Sequence, residues 1–269
     1  MTKLMKMMKM PNQVRPQQST DRAAGRLSRT RILALVRKEL NDFRRNRLIA
    51  TTMAVMPLLF MIEPVITVFK LPANAPASRL DALVGVATLE LMLIPALVPA
   101  VVASYAVVGE REQGTLEPVL TTPIRPSEFL LGKALAVFLP ALGVAYTMYG
   151  VFLAAVGLFA HANVAHDIFE VPRIVAQLLF TPLLALWSIW AAIAVSTRAG
   201  DVRVAQQLSS LASLPPLAVT ALVGFDVVKP TTTVAVVIGA ALLLVDTVAW
   251  RVVSAFFHSE RLVTGAKPV

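Results

Sequence analysis

The sequence has no cysteine and few charged residues. Of its 269 residues, only 15% are Asp, Glu, Lys or Arg. Without cysteine the chain can form no disulfide and can carry out no thiol chemistry. A soluble domain of this length would carry more charge. Apolar residues make up 57% of the chain, and the mean hydropathy is +0.70. The composition therefore excludes an ordinary soluble protein and indicates an integral membrane protein.

The motifs of common enzymes are also missing. There is no serine elbow with partner Asp and His, no His-Glu-x-x-His and no paired catalytic carboxylates. A P-loop needs Gly-x-x-x-x-Gly-Lys-Ser/Thr, whereas Gly132-Lys133 is followed by Ala134 and has Ser127 in place of the first glycine. We expect no enzymatic activity and no bound cofactor. If the protein uses ATP at all, the nucleotide must be bound elsewhere.

Few residues could hold a metal ion. His161, His166 and Asp167 share one short connection, but a metal site needs more ligands in a fixed geometry. We therefore expect no metal site.

Six apolar runs are long enough to cross a bilayer, which takes about 20 residues. The predicted spans are 48–69, 83–108, 135–159, 174–195, 208–225 and 231–250. Six spans place both termini on the same side of the membrane. The predicted fold is an all-α integral membrane protein whose six-helix domain covers residues 31–257.

Basic residues identify the side on which the termini lie. With both termini inside, 21 of the 25 Lys and Arg residues fall in inside segments and 4 in outside segments. Because Lys and Arg concentrate on the cytoplasmic side, both termini are predicted to be cytoplasmic. The expected location is the cytoplasmic (plasma) membrane, with a multi-pass topology.

The N-terminal region is polar and basic. We expect residues 1–30 to be a disordered cytoplasmic tail, and 258–269 to be a second cytoplasmic tail. Between 31 and 47, apolar residues recur on one helical face, which predicts an amphipathic helix in the membrane interface. These residues are Ile32, Val36, Leu40 and Phe43. A net charge of +9 is also typical of nucleic-acid binding, but its concentration beside membrane spans favours membrane lipid as the partner and argues against nucleic acid.

A polar stretch, Gly109 to Lys133, separates the second and third spans. Gly114 can end the incoming helix. Thr115 can cap a short helix that ends near Thr121, because the residue before a proline avoids helical angles. Ser127 is expected to cap the following helix, with Glu128 in its first turn. The short helix would carry an apolar ridge formed by Leu116, Val119 and Leu120.

The helices on both sides of this stretch are longer than a bilayer requires. We predict one from about 81 to 113 and the next from 128 to 159. Each would be roughly 48 Å long, against a hydrocarbon core of about 30 Å. Their charged ends should project into the cytoplasm as two stalks, with the short helix crossing at the tip.

The polar stretch resembles the first cytoplasmic loop of ABC transporter permeases of type 2. The similar residues are Glu110-Arg111-Glu112-Gln113-Gly114-Thr115-Leu116-Glu117, Thr122-Pro123-Ile124 and Gly132-Lys133. Arg203-Val204-Ala205-Gln206-Gln207-Leu208, followed by Leu214-Pro215, resembles the start of that family's fifth span. The six spans and the N-terminal amphipathic segment agree with the resemblance, which covers about residues 31–257.

The resemblance implies partners. In that family two permeases pair, and two separate cytoplasmic ATPase subunits bind beneath them. A coupling helix in the first cytoplasmic loop sits in a cleft of the ATPase, and Gly114 to Thr122 would be that helix. The residues implied in ATPase coupling are Glu110, Arg111, Glu112, Gly114, Thr115, Leu116, Glu117, Pro118, Leu120, Thr122 and Pro123. The expected function is therefore the permease subunit of an ABC exporter. It would move its substrate with ATP hydrolysed by the partner subunit.

The connections on the predicted outer side of the membrane limit which substrates are expected. Some exporters of this type carry re-entrant helices between the fifth and sixth spans, but here that connection is only about residues 226–230. This disfavours a long polysaccharide and leaves drugs, lipids, peptides or ions.

Two acidic residues lie in the outer thirds of neighbouring antiparallel spans, Glu63 in the first and Glu90 in the second. Because intramembrane carboxylates usually face a bundle interior or a cavity, one hypothesis is a polar patch on the translocation path that recognises a cation. The alternative is that each is solvated at the outer interface or paired locally. Asp246, near the inner end of the sixth span, is expected to snorkel or to pair with Arg251.

Two other functions remain open. A secondary transporter driven by an ion gradient would use Glu63 or Glu90 as a proton or cation site and would need no ATPase. A non-transporting membrane scaffold would need no cavity.

Overall fold

The computed structural model describes residues 27–112, 114, 125–225 and 227–256. Within these ranges the secondary structure consists of eleven helices, with no strand. They are α1 (Arg29–Arg45), α2 (Arg47–Phe69), α3 (Ala77–Leu91), α4 (Leu93–Ala103), α5 (Tyr105–Glu112), α6 (Pro126–Phe159), α7 (Ala162–Ile168), α8 (Val171–Arg198), α9 (Val202–Ala212), α10 (Leu214–Gly224) and α11 (Thr232–Phe256).

Six helical stretches are long and apolar enough to cross a membrane. They are Ile49–Phe69, Ala77–Glu112, Pro126–Phe159, Val171–Arg198, Val202–Gly224 and Thr232–Ala255. Each overlaps one of the six predicted spans. The prediction of an all-α integral membrane protein with six spans is therefore confirmed. The cytoplasmic position of the termini stays a prediction.

The second span is divided, whereas the sequence predicted one continuous helix. Turns at Met92 and Ser104 separate α3, α4 and α5. At the second turn, the hydroxyl of Ser196 in α8 accepts hydrogen bonds from the backbone N–H groups of Val107 (3.0 Å) and Val108 (2.9 Å). It also donates to the carbonyl of Ser104 at 2.6 Å. A backbone break inside a membrane needs such partners, so one serine of the fourth span stabilises the turn.

The fifth span is also divided, at Ser213 between α9 and α10. Pro216 has no N–H to donate to the carbonyl of Ala212, four residues earlier. The indole Nε1–H of Trp187 donates to that carbonyl instead, at 2.8 Å. In both divided spans, a side chain of α8 therefore satisfies backbone groups at the turn.

Helix α8 is the centre of the bundle and packs against α4, α6, α9 and α11. Its contacts with α11 pair Leu179 with Gly239 near one end and Trp190 with Trp250 near the other, where the ring centroids are 5.0 Å apart. The sequence offset is the same in both pairs, so α8 and α11 run parallel. The parallel arrangement agrees with a six-span topology, in which the fourth and sixth spans cross the membrane in the same direction.

Asp246 lies on the buried face of α11. It is 4% exposed, and neither carboxylate oxygen has a hydrogen-bond partner among the described residues. Arg251 is exposed. The expectation that Asp246 snorkels or pairs with Arg251 is wrong, because five residues correspond to about 140° of rotation around a helix. The two side chains leave α11 on different faces.

The predicted amphipathic segment forms α1, which packs along the beginning of α6. Its most buried residues are Leu35, Val36 and Glu39. Gly132 allows the close approach, because a Cβ atom there would lie 2.5 Å from Cδ2 of Leu35. The helix is therefore attached to the bundle, and its position in the membrane interface stays a prediction.

Candidate functional site

Four ionic side chains from α1, α5 and α6 meet in what we call the charge cluster: Lys38, Glu39, Glu110 and Lys133. The ammonium Nζ of Lys133 lies 2.7 Å from Oε1 of Glu110 and 3.1 Å from Oε1 of Glu39. Lys38 Nζ lies 3.2 Å from Glu39 Oε1 and 3.4 Å from Glu110 Oε1. Two cations thus alternate with two carboxylates, and three helices are joined.

The charge cluster is buried on one side and open on the other. The exposed fractions are 3% for Lys133, 6% for Glu39 and 8% for Glu110, whereas the side chain of Lys38 is 45% exposed. The ring of Phe129 lies 5.1 Å from the Lys133 ammonium. For Lys38, burial alone would lower the pKa, but the carboxylates of Glu39 and Glu110 outweigh it and raise the pKa. Lys38 therefore stays charged at physiological pH.

A second connection joins the beginnings of α1 and α6. Oε1 of Glu128 accepts from the backbone N–H of Ser28 at 2.8 Å. Oε2 accepts from the backbone N–H of Arg125 at 3.2 Å, and the Arg31 guanidinium lies 3.2 Å from it. Glu128 is 1% exposed, so these bonds replace the water that its carboxylate loses. The expected cap at Ser127 is wrong, because α6 begins at Pro126, directly after Arg125.

The end of α5 is tied to α8 and α9. The Arg111 guanidinium donates to the carbonyls of Thr197 (3.1 Å) and Ala199 (3.3 Å) at the end of α8. A carboxylate oxygen of Glu112 accepts from the backbone N–H of Val202, the first residue of α9, at 3.1 Å. An anion is favourable there because the first N–H groups of a helix have no partner within it.

Gly114 ends the helix as predicted. Its N–H donates to the carbonyl of Arg111 at 3.2 Å, and its φ is +67°. This left-handed conformation is accessible to glycine at little cost.

Only part of the predicted coupling site lies within the described residues. Glu110, Arg111, Glu112 and Gly114 do, and each of the three charged side chains has a partner within the chain. The other predicted coupling residues lie outside the described part of the structure: Thr115, Leu116, Glu117, Pro118, Leu120, Thr122 and Pro123. The short crossing helix lies outside it as well. Direct contact of all these residues with an ATPase stays a prediction.

The two predicted path residues lie on adjacent helices, Glu63 on α2 and Glu90 on α3. Their carboxylates are close enough to interact electrostatically. Glu63 is exposed, whereas Oε2 of Glu90 is buried and has no hydrogen-bond partner among the described residues. The structure therefore brings the two together at the α2–α3 interface.

Several residues of the site were missed in the sequence. Glu39 and Lys38 complete the charge cluster, and Ser196 stabilises the turn before α5. The burial of Glu39 could have been predicted from the sequence, because this residue follows Leu35 and Val36 at helical spacing and therefore interrupts an apolar face. A carboxylate in that position implies a buried partner. Ser196 carried no comparable signal.

Comparison with protein families identifies this architecture. Residues 35–205 match the family described as ABC-2 family transporter protein, which covers more than half of the chain. The chain belongs to the ABC-2 transporter family. The resemblance to type 2 ABC permeases is thus confirmed, and the protein is a membrane permease of an ABC transporter and a multi-pass protein of the plasma membrane. A comparison with curated proteins finds no match.

The matched range begins in α1 and ends in α9. It therefore contains the charge cluster, the Arg111 and Glu112 contacts and residues 114–122 between α5 and α6, which we call the coupling segment after their predicted role.

Proposed function

We propose that this ABC-2 permease is the membrane-spanning subunit of an exporter driven by a separate cytoplasmic ATPase, which docks on residues 114–122. One observation supports this most strongly. The two helices that flank this segment, α5 and α6, are joined by ionic and hydrogen-bond contacts to α1, α8 and α9. A segment held in this way can carry a displacement into the membrane domain.

The contacts define where such a displacement would go. Movement of α5 would pull on the end of α8 through Arg111 and on the start of α9 through Glu112. Movement of α6 would carry α1 through Lys133 and Glu128. Removing one partner of a buried ion pair costs about 3–5 kcal/mol, so the connection between Lys133 and Glu39 resists separation. Closure of the ATPase would thus reach the fourth and fifth spans and the N-terminal helix together.

On the outer half, we propose that Glu63 and Glu90 lie on the translocation path and recognise a cationic group. The buried, unpartnered oxygen of Glu90 supports this, because a carboxylate in a membrane span is costly without a partner. Glu63→Gln with Glu90→Gln should impair transport without reducing membrane expression. Lys70→Gln, on the adjacent exposed turn, is the control. Wild-type transport by the double variant would contradict this role.

The test of the proposed function is purification of the full chain from its native membranes. We expect an ATPase with a P-loop motif to co-purify, along with a second permease, either an identical or a related chain. The reconstituted complex should hydrolyse ATP and export its substrate only when ATP is present. If no such ATPase associates and transport persists on an ion gradient alone, the chain is a secondary transporter. If no transport occurs with either energy source, it is a scaffold.

A further inference from the structure

A cavity of about 580 Å³ lies where α1 meets the inner bundle. It is bounded by α1, the start of α2, the end of α4, and by α5, α6 and α8. Cavities of about 300–1,000 Å³ are the size of sites for drug-sized ligands. The coupling role proposed above does not use this cavity.

The two ends of the cavity differ in chemistry. One end is apolar and is formed by side chains of the spans, among them Val102, Val137 and Ile193. The other end lies at α1 and contains the charge cluster together with Asp42 and Arg45. A ligand that fits both ends must have an apolar part and a polar head.

The charged side chains at the polar end of the cavity have no net charge. Within the charge cluster, two cations and two carboxylates neutralise each other. Asp42 and Arg45 add one charge of each sign, and both are exposed; the Asp42 carboxylate also lies 3.5 Å from the Lys38 ammonium. Residues three apart on a helix lie on the same side, so these two charges are neighbours at the rim. Such a rim complements a head that carries one positive and one negative group, and it does not favour a head with a single charge.

We infer that this cavity binds a zwitterionic amphiphile with a single apolar tail. The tail lies against Val102, Val137 and Ile193, the cationic group of the head faces Asp42, and the anionic group faces Arg45. The sequence predicts that α1 lies at the membrane interface, where amphiphiles concentrate. Two sources share this chemistry, namely a single-chain lipid of the inner leaflet and an amphiphilic export substrate. The binding site itself does not depend on the proposed docking of an ATPase.

The first experiment measures binding to the full chain in phosphatidylglycerol nanodiscs. The probes are lysophosphatidylethanolamine, lysophosphatidylglycerol and dodecyltrimethylammonium, whose heads are zwitterionic, anionic and cationic. We expect saturable binding with about tenfold preference for the zwitterionic probe. Arg45→Glu should remove that preference and favour the cationic probe, whereas Arg44→Glu, an exposed neighbour that does not line the cavity, should not. Absence of saturable binding, or equal effects of the two variants, would overturn the inference.

The second experiment locates the tail. Val137→Trp fills the apolar end and should weaken binding of the zwitterionic probe by about tenfold or more. Leu139→Trp is the matched control, because this side chain on the same helix is 54% exposed. If Val137→Trp does not fold, a probe with a photoreactive tail should label the wild-type chain at α4, α6 or α8 near the cavity. Unchanged binding by folded Val137→Trp, or labelling confined to other surfaces, would overturn the inference.

A final experiment distinguishes a bound membrane lipid from an export substrate. Proteoliposomes that contain the permease and its ATPase are loaded with the zwitterionic probe. ATP-dependent extrusion that is lost in Val137→Trp identifies an export substrate. Saturable binding without extrusion identifies a bound membrane lipid. Failure of ATPase docking would leave the binding results unchanged, so the two proposals fail separately.

Discussion

The ammonium of Lys133 lies 2.7 Å from Oε1 of Glu110, across the segment that joins the second and third spans. The two residues are 23 positions apart and lie on either side of that segment. The same ammonium is 3.1 Å from Glu39 in α1. A force applied between α5 and α6 is therefore shared with the N-terminal helix.

Lys133→Met should destabilise the protein strongly. The change removes the buried cation and leaves the half-exposed Lys38 as the one cation of the charge cluster beside the buried carboxylates of Glu39 and Glu110, at a cost of up to about 3–5 kcal/mol. The thermal unfolding midpoint of the detergent-purified chain measures the effect. Adding Glu39→Gln and Glu110→Gln to Lys133→Met should recover most of the loss, because no buried charge then remains. An equal midpoint for Lys133→Met and the exposed control Lys70→Met would refute the role of the cluster.

Gly132→Ala should push α1 away from α6. The added Cβ would lie 2.5 Å from Cδ2 and 3.0 Å from Cβ of Leu35, so the Leu35 side chain and α1 must move to make room, at a cost of about 1–3 kcal/mol. Gly143→Ala on the same helix meets nothing within 4 Å and should be neutral or slightly stabilising. Leu35→Ala should reduce the penalty of Gly132→Ala in a double-mutant cycle on the unfolding midpoint. Additive effects would show that the two residues do not meet.

Gly114→Ala should uncouple the ATPase without preventing insertion. Alanine at a φ of +67° costs about 1–2 kcal/mol, so the chain leaves α5 in another direction and the coupling segment is displaced. We expect a lower permease-dependent ATPase rate at normal membrane expression. Gly200→Ala, in the connection between α8 and α9, has open space for a Cβ and serves as control. Equal ATPase rates in the two variants would show that the left-handed turn has no role in coupling.

Ser196→Ala should cost about 2 kcal/mol, because the N–H groups of Val107 and Val108 would lose their acceptor in a buried site. Ser188→Ala is a matched control on the same helix, since that buried hydroxyl only donates to the carbonyl of Leu184 within its own helix. The difference between the two unfolding midpoints measures the contribution of Ser196 to the turn. No difference would mean that the turn is stabilised by other contacts.

Much of the fold could be predicted from the sequence, because the bilayer imposes a length and an apolar composition on every span. The division of the second span into three helices could not be predicted. Pro95 and Pro99 lie within that span, but the turn at Ser104 depends on a hydroxyl 92 residues away. Long-range hydrogen bonds of this kind leave no periodic pattern in the chain.

The candidate site was predicted in part. Glu110, Arg111 and Glu112 were assigned to the coupling site by their resemblance to a family motif, and the structure gives each a partner within the chain. Lys133 was recognised only as half of a Gly-Lys pair. The packing of α1 against α6 brings the ionic partners of Lys133 together. Gly132 allows the two helices to approach closely because it has no side chain.

The central claim is that residues 114–122 receive the ATPase. Leu116→Asp with Glu117→Arg tests it most directly, because it reverses one charge and introduces another on the proposed docking surface. The measurement is co-purification of the ATPase with the full chain, with membrane insertion and elution volume as checks on folding. We predict that the ATPase is lost while insertion and elution volume are unchanged. An unchanged amount of bound ATPase would contradict the account and place the docking site elsewhere on the permease.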